Sequence, residues 1–153
     1  MAANAFFVYG NALEQIANGT IDLDTDSFRM ILVGTGYTPN QSTDTAYSNV
    51  SANEVTGTGY TAGGQAITTG VSRSGLAVTF DCDDQSWTSS TISGAAYAVI
   101  VRDADGNGSL VAGDLLLAAC ELEDGGSLST TNGTLAVTIN ASGVFTITAT
   151  AAA

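Results

Sequence analysis

The residues best suited to chemistry lie in an acidic loop between two apolar segments. The loop reads Asp103-Ala-Asp-Gly-Asn-Gly-Ser109, and Asp114 stands at the twelfth position counted from Asp103. Short Asp and Asn side chains at alternate positions can point several oxygens inward, glycine permits a sharp turn, and calcium binds about six to eight oxygens. The pattern therefore predicts a calcium loop, and calcium is the cofactor that the sequence suggests. The predicted ligands are Asp103, Asp105, Asn107, Ser109 and Asp114.

This loop departs from an EF-hand calcium site in three ways. Asp114 stands where a bidentate Glu is usual, Val111 offers only its carbonyl, and the flanking segments resemble strands instead of helices. A metal-free hairpin loop rich in Asp, Asn and Gly is the alternative interpretation. A second acidic run, residues 22–26, lacks a glycine and is predicted to be a solvated turn.

Few other reactive groups are present. The 153 residues include no His and no Lys, which excludes His-dependent triads, His-ligated zinc or haem, a P-loop lysine and a Schiff base. A carboxylate pair could still catalyse, but nothing in the spacing of Glu54, Glu121 and Glu123 selects two of them. Residues 57–62 match G-x-G-x-x-A, yet two further glycines follow where a nucleotide-binding helix would begin. We therefore predict that the protein is not an enzyme.

The two cysteines are predicted to be structural. Cys82 and Cys120 lie on apolar, strand-like segments, and two thiols are too few for a zinc or iron–sulfur site. Without an export signal, two reduced thiols in the core are favoured, and one buried disulfide is the alternative.

The charge balance restricts the partners. Fifteen acidic residues stand against three arginines, for a net charge of −12. With no basic patch, the sequence argues against binding to nucleic acid or to anionic membranes. The first residues lack a basic leader region, and no run of about 18–20 apolar residues could span a bilayer. Arg29 and Arg102 interrupt apolar strands and are predicted to pair with Asp or Glu, within the chain or across an interface.

The polar surface must be built mostly from uncharged side chains. Charged residues make up 12% of the chain, against about 25% in ordinary soluble domains. Hydroxyls and amides cost less free energy to desolvate than ions do. Such a surface suits a protein that is packed against neighbouring subunits.

One helix is predicted, near the N-terminus. Apolar residues recur at helical spacing and Asn18-Gly19 supplies a stop, so the helix should run from about residue 4 to residue 17. The residues on its apolar face are Phe6, Tyr9, Leu13 and Ile16.

The remainder of the chain reads as β-strands joined by turns. Residues 51–64 are predicted to be a long surface loop with one short strand, because they contain four glycines. The turn at 140–143 predicts a hairpin between the two last strands. We expect one domain spanning 1–153, mainly β, with strands from about 28 to 150. The expected fold is an antiparallel β-sandwich or barrel-like sheet of seven or eight strands with one short N-terminal helix. The predicted strands are 28–33, 65–71, 75–82, 95–101, 115–120, 135–139 and 145–147.

Several stretches carry a resemblance to a known family. They are residues 18–33 with Tyr37-Thr-Pro39, residues 81–87, residues 96–101, and Ser51-Ala-Asn-Glu-Val-Thr-Gly-Thr-Gly-Tyr-Thr-Ala-Gly-Gly64. Together they cover most of the chain, and the part from residue 54 to 64 is the most specific. In these stretches the chain resembles small structural proteins of tailed bacteriophages. The acidic loop is longer here than in that family's pattern, so the resemblance adds no support for calcium.

The resemblance implies a structural role in a virion. It favours a capsid cement or decoration protein that binds the outer capsid surface and stabilises the shell, after synthesis in the cytoplasm of the bacterial host. The implied partners are the major capsid protein and copies of the chain itself, as trimers or dimers that match capsid axes. Neither nucleic acid nor a membrane is an expected partner.

Two other functions are compatible with the sequence. A tail or tail-fibre component is the alternative within the virion. A carbohydrate-binding or adhesive β-domain is the alternative from another class, and it would need an exposed platform of aromatic rings. The candidate rings are Trp87, Tyr47 and Tyr60.

Overall fold

The structure is a computed structural model that describes residues 4–152. It is mainly β, with one α-helix and three antiparallel sheets, so the predicted fold class is confirmed. The α-helix is α1 (Gly10–Ala17), and two single-turn 3₁₀ helices cover Tyr47–Asn49 and Ser51–Asn53. The strands are β1 (Phe7–Val8), β2 (Ser27–Gly34), β3 (Gly57–Thr58), β4 (Gln65–Ile67), β5 (Thr69–Ser74), β6 (Ala77–Cys82), β7 (Gln85–Ile92), β8 (Ala95–Asp103), β9 (Leu116–Glu121), β10 (Gly133–Val137) and β11 (Phe145–Thr148).

A five-stranded sheet forms the centre of the molecule. Its strand order is β1-β9-β8-β2-β4. The three middle strands are nearly continuous apolar runs, and most of their residues are buried. A strand whose two faces are both covered reads as an unbroken apolar run, which is why β2, β8 and β9 were recognisable in the sequence.

Two three-stranded sheets lie outside this centre. One has the order β10-β7-β3 and the other has the order β11-β6-β5. We call the second one the outer sheet. The rings of Phe28 in β2 and Phe80 in β6 meet edge to face, with centroids 5.5 Å apart, and so join the outer sheet to the central sheet. The buried apolar side chains form one contiguous cluster across the described residues.

The predicted hairpin between the last two strands is wrong. The turn itself forms, because Gly143 N–H donates to the Asn140 carbonyl over 2.8 Å. However, β10 pairs with β7 and β11 pairs with β6, so the turn connects two different sheets. Alternation of apolar and polar residues defines the faces of a strand, but it does not select the strand that will be its neighbour.

The helix is shorter than predicted. It begins at Gly10, and the segment that was expected to be its first turns contains β1, in which Phe7 pairs with Ala119 of β9. This short strand supplies hydrogen-bond partners to the backbone groups at the free edge of β9, which a helix could not do. Leu13, expected on the buried face, is 49% exposed, and Ala12 is buried in its place.

One long strand was not recognisable in the sequence. β7 was not predicted, because most of its residues are Ser, Thr and Gln, yet its buried positions include Trp87 and Ile92. With the short strands β1 and β3 included, the described residues form eleven strands where seven or eight were expected. None of the helices within residues 4–152 has the length and apolar character needed to cross a membrane.

Candidate interaction surface

The two ends of the acidic loop are brought together by its own backbone. Asp103, the last residue of β8, is buried, and its carboxylate accepts N–H bonds from Gly106 at 3.0 Å and Gly108 at 2.9 Å. Asp114 is also buried and accepts from Ala104 at 3.2 Å and from Val111 at 2.7 Å. All four carboxylate oxygens therefore bind backbone N–H groups, which gives the loop a closed shape without any other ligand.

The other three predicted ligands lie at the exposed tip of this loop. Asn107 Nδ2 donates to the Asp105 carboxylate over 2.6 Å, and Ser109 N–H donates to Asn107 Oδ1 over 2.8 Å. Within residues 4–152, no group of three or more His, Cys, Asp or Glu side chains is placed to hold a metal ion. The calcium loop stays a prediction. If it is right, calcium will raise the melting temperature and a chelator will lower it; equal melting temperatures would contradict it.

The segment predicted as a surface loop, residues 51–64, is partly a core element. β4 covers only the first part of β2, and beyond it the Leu32 N–H donates to Tyr60 Oη at 3.1 Å. The Leu32 carbonyl accepts from the N–H of Val55 at 3.0 Å. Val55 and Tyr60 are buried. This segment therefore pairs with β2 where β4 ends, in the place that a further strand would take. Its two apolar side chains, Val55 and Tyr60, were the sequence feature that could have predicted this burial.

Glu54 ties this segment together. Its Oε1 accepts from Tyr60 Oη at 2.6 Å and from Gly63 N–H at 2.7 Å, while its Oε2 accepts from Tyr47 Oη. Burial is the largest cause that raises the pKa of Tyr47 and of Tyr60 above the usual range of a phenol, and the hydrogen bond to Glu54 is the second. The two phenols therefore act as donors to one carboxylate. These contacts give Glu54 a structural role, and they leave no carboxylate oxygen of it unpaired.

The two arginines within apolar strands have different partners. Arg102 forms an ion pair with Asp26, as predicted. Arg29 was predicted to pair with an acid as well, and this is wrong within the described chain. Its guanidinium donates to the carbonyls of Gly63 and Gly64, both at 2.7 Å. Because carbonyl oxygens also accept from a cation, a strand arginine in an acidic protein does not require a carboxylate.

The aromatic platform required by the carbohydrate hypothesis does not form. Trp87 is 1% exposed, and its ring packs beside that of Tyr60, with centroids 6.0 Å apart. The third ring, Tyr47, is half-buried against Glu54. Two of the three candidate rings are therefore in the core and cannot stack on a ligand in solvent.

Both cysteines are buried and free in the structure. Burial raises the pKa of the Cys120 thiol to about 12. Burial, together with the nearby negative charge of Asp83, raises the pKa of Cys82 to about 12. Thiols of this kind are neutral at physiological pH and pack as small apolar side chains, as predicted.

The outer sheet has one apolar face and one polar face. The pairing register places Val71 beside Phe80, and Val78 beside both Arg73 and Ile147. Residues directly opposite each other in neighbouring strands project to the same side. The other side carries the exposed carboxylate of Asp81, opposite Gly70, and otherwise small hydroxyl and methyl side chains, which are those of Ser72, Ser74, Ala77, Thr79, Thr146 and Thr148.

The central sheet covers only part of the apolar face. Phe80 is buried against Phe28, and Phe145 packs on Phe80 with ring centroids 5.3 Å apart. On the remaining part, Val71 is 38% exposed and Ile147 is 42% exposed, and Leu76 in the adjoining turn is 54% exposed. Within residues 4–152, five large apolar side chains are exposed, and these are three of them. The uncovered part of this face is the largest concentration of such side chains, and we call it the apolar patch.

A groove adjoins the apolar patch at Val71. Its volume is about 350 Å³, and it lies between the outer sheet and the chain that follows α1. Its apolar lining includes Ile16, Ile21 and Leu23, and Asp24 lies at its border with an exposed carboxylate. The patch and the groove join at Val71 and form one continuous exposed surface.

Charge is unevenly distributed over this surface. Residues 69–80 contain no acidic side chain and include Arg73. Arg73 is exposed, donates to the carbonyl of Gly75 at 2.9 Å, and has no carboxylate within 4.0 Å among residues 4–152. In a molecule with a net charge of −12, the apolar face of the outer sheet therefore carries one cation and no carboxylate, because Asp81, the acid of β6, projects from the polar face.

Comparison with known proteins does not assign the chain to a family. No family model matches the chain, and no curated protein or solved structure is significantly similar to it.

Proposed function

We propose that the protein is a structural component of a bacteriophage virion, and specifically a decoration protein that binds the outer surface of the capsid. The resemblance of residues 18–33 and 51–64 to tailed-phage structural proteins supports this role. The proposal assigns the protein an adhesive function and no catalytic step. Its partners are the major capsid protein and further copies of the chain.

The single observation that carries the proposal is the apolar patch. Val71, Leu76 and Ile147 expose apolar area beside neutral hydroxyl side chains, and such a surface loses little free energy of hydration when a partner covers it. Burial of apolar area contributes about 25 cal/mol per Å². One patch of this size gives modest affinity, but many copies on one shell bind cumulatively through avidity.

The charge of the chain is consistent with a position outside the shell. Packaged DNA carries a dense negative charge, and a protein with a net charge of −12 would be repelled by it. On the outer surface the same charge keeps particles apart and in solution.

The test is binding of the purified chain to capsids that lack it. We expect wild-type protein to bind in hundreds of copies per particle, on the order of the number of capsid subunits. A Val71→Asp variant should bind at least about tenfold more weakly, because it places a charge in the patch that must be desolvated. Ser72→Asp is the matched control, since it adds the same charge to the opposite face of the same strand.

Four outcomes decide the matter. Saturable binding that only Val71→Asp weakens supports the proposal. Absence of the polypeptide from purified virions, or equal binding of all three proteins, overturns it. A handful of copies per particle would instead identify a tail component.

A further inference from the structure

We infer that two copies of this chain dock through the apolar patch and the adjoining groove, as a two-fold dimer in which Arg73 of each copy meets Asp24 of the other. The inference rests on the proposed function and makes it more specific, because a second copy of the decoration protein is the partner that covers the apolar patch. Val71→Asp then weakens capsid binding by separating the two copies, whose contacts with the shell add through avidity. The contact itself can be measured on the purified protein.

The cationic half of this contact is the patch. Arg73 projects from the same side of the outer sheet as Val71 and Val78. Its guanidinium makes one backbone contact, to Gly75, and retains donors for a further acceptor. The other two arginines are already engaged, Arg102 by Asp26 and Arg29 by two carbonyls. Arg73 is therefore the cation that is free to meet a carboxylate.

The anionic half of the contact is the border of the groove. Asp22 uses Oδ1 to accept the N–H groups of Asp24 and Thr25, and Asp26 is held by Arg102. The Asp24 carboxylate is exposed and has no hydrogen bond or ion pair within residues 4–152. It stands beside the apolar side chains of Ile21 and Leu23. Asp22, which also lines the groove, thus has one oxygen engaged, whereas both carboxylate oxygens of Asp24 are available to a partner.

Charge complementarity favours a second copy as the occupant. Two molecules that each carry a net charge of −12 repel each other over most approaches. The repulsion is reduced where the apolar face of the outer sheet, which carries Arg73 and no acid, faces the other molecule. An acceptor for its single cation is then supplied by the groove of the same kind of molecule.

The arrangement of the two halves favours two-fold symmetry. Val71 belongs to both the patch and the groove, so the cationic and anionic halves of the contact meet at Val71. A two-fold axis near Val71 forms both Arg73–Asp24 contacts at once and lays apolar side chains against each other. Such an interface is self-complementary, and two-fold dimers are the commonest closed assemblies.

The size of the surface predicts a weak dimer. Six residues of β5 at about 3.3 Å each and three strands about 4.8 Å apart cover on the order of 200–300 Å². Even with the groove included, the buried area falls below the roughly 1,600 Å² of a standard stable interface. We expect a dissociation constant in the micromolar range, which high local concentration on a shell would overcome.

Charge reversal tests the contact directly. Sedimentation equilibrium up to about 1 mM protein should show dimers for the wild-type chain. Arg73→Glu and Asp24→Arg should each weaken the dimer at least about tenfold, because two attractions become two repulsions. An equimolar mixture of the two variants should restore a one-to-one dimer, since each Glu at position 73 then faces an Arg at position 24 and each Arg73 faces an Asp24.

Matched controls separate this contact from general charge effects. The double variant Ser72→Glu with Ser74→Glu changes the charge of β5 by the same two units, but on the opposite face. Asp124→Arg makes the same change as Asp24→Arg at an exposed acid outside the groove. Both controls should dimerise like the wild type, and circular dichroism should show that every variant is folded.

The possible results either support or overturn the inference. Restoration by the mixture supports it. A wild-type chain that is monomeric at 1 mM, a mixture that stays monomeric, or a wild-type assembly larger than a dimer overturns it. Because this assay contains no capsid, a chain that dimerises but does not bind particles would overturn the proposed function and leave the dimer contact standing.

Discussion

The central sheet and the outer sheet use similar residues for opposite purposes. β8 and β9 consist mostly of Ala, Val, Ile and Leu, and both of their faces are buried. β5 and β6 also contain Ala and Val, but β5 is exposed along nearly its whole length and β6 is buried at only two positions. The first sheet uses its apolar area to stabilise the fold, while the second keeps part of that area available.

This difference shows that exposed apolar area in this chain is localised. The central sheet has no comparable opening, because β1 and the segment around Glu54 close its edges. Substitutions in the central sheet should therefore change the free energy of unfolding, and substitutions in the patch should change association. The following predictions test this contrast.

The largest difference is expected between two glycines. Gly64 has a φ of +62°, and a Cβ at this position would lie 1.9 Å from the Met30 carbonyl oxygen. Gly64→Ala should reduce the free energy of unfolding by about 4 kcal/mol or prevent folding. Gly75, in the turn of the outer sheet, has a φ of +59° and open space around it. Gly75→Ala should cost only about 1 kcal/mol in urea unfolding, and equal costs would contradict the contrast.

Two aliphatic truncations should differ by a smaller amount. Ile100 in β8 is fully buried, and Ile100→Ala should cost about 2–5 kcal/mol because it leaves a cavity. Leu76→Ala, at the tip of the outer sheet, should change the free energy of unfolding by less than about 0.5 kcal/mol. The same Leu76 variant should weaken association. A large loss of stability from Leu76→Ala would show that the patch is part of the fold.

Loss of the Glu54 contacts should lower the free energy of unfolding by less than loss of a large core side chain does. Glu54→Gln keeps the shape but replaces one carboxylate oxygen by an amide group that cannot accept from a phenol. Three donors depend on this carboxylate, so we expect a loss of about 1–3 kcal/mol in denaturant unfolding. Glu123→Gln, on an exposed loop, is the control and should be neutral.

The smallest effect at neutral pH concerns the two thiols. The pKa values of Cys82 and Cys120 are about 12 in the fold, against about 9 for a free thiol. The unfolded chain therefore loses these protons first, so their contribution is complete below pH 9 and is lost as the pH rises from about 9 to 12. Urea unfolding between pH 7 and pH 11 should show this decline. In a Cys82→Ala, Cys120→Ala double variant the decline should be shallower, and an unchanged slope would assign it to tyrosines instead.

The sequence predicted best where the physical signal was local and continuous. The apolar runs of β2, β8 and β9 were recognised because covered strands exclude polar residues from both faces. The pairing of Arg102 with an acid followed from the cost of an unpaired charge near a core. The acidic loop was placed between its two strands, and the structure shows that two of its five predicted ligands are buried by the backbone that surrounds them.

Prediction from the sequence failed where several conformations were compatible with the same local pattern. Apolar residues from Phe6 to Tyr9 suit either a helix or a strand, and the free edge of β9 decided for the strand. The alternating residues around the turn at 140–143 suited a hairpin, but β6 and β7 offered other edges. β7 was missed because its hydroxyl side chains hide the buried Trp87 in a polar context.

Composition and local pattern alone determined that this chain is a β protein with an acidic, hydroxyl-rich surface and without the His and Lys that many catalytic and cofactor sites need. Only the tertiary structure decided which edges pair, which carboxylates are bound to backbone N–H groups, and which apolar side chains remain uncovered. The reason is that burial is a property of the whole fold. Phe80 and Ile147 have the same apolar character and project from the same face of the outer sheet, yet only the first meets the central sheet.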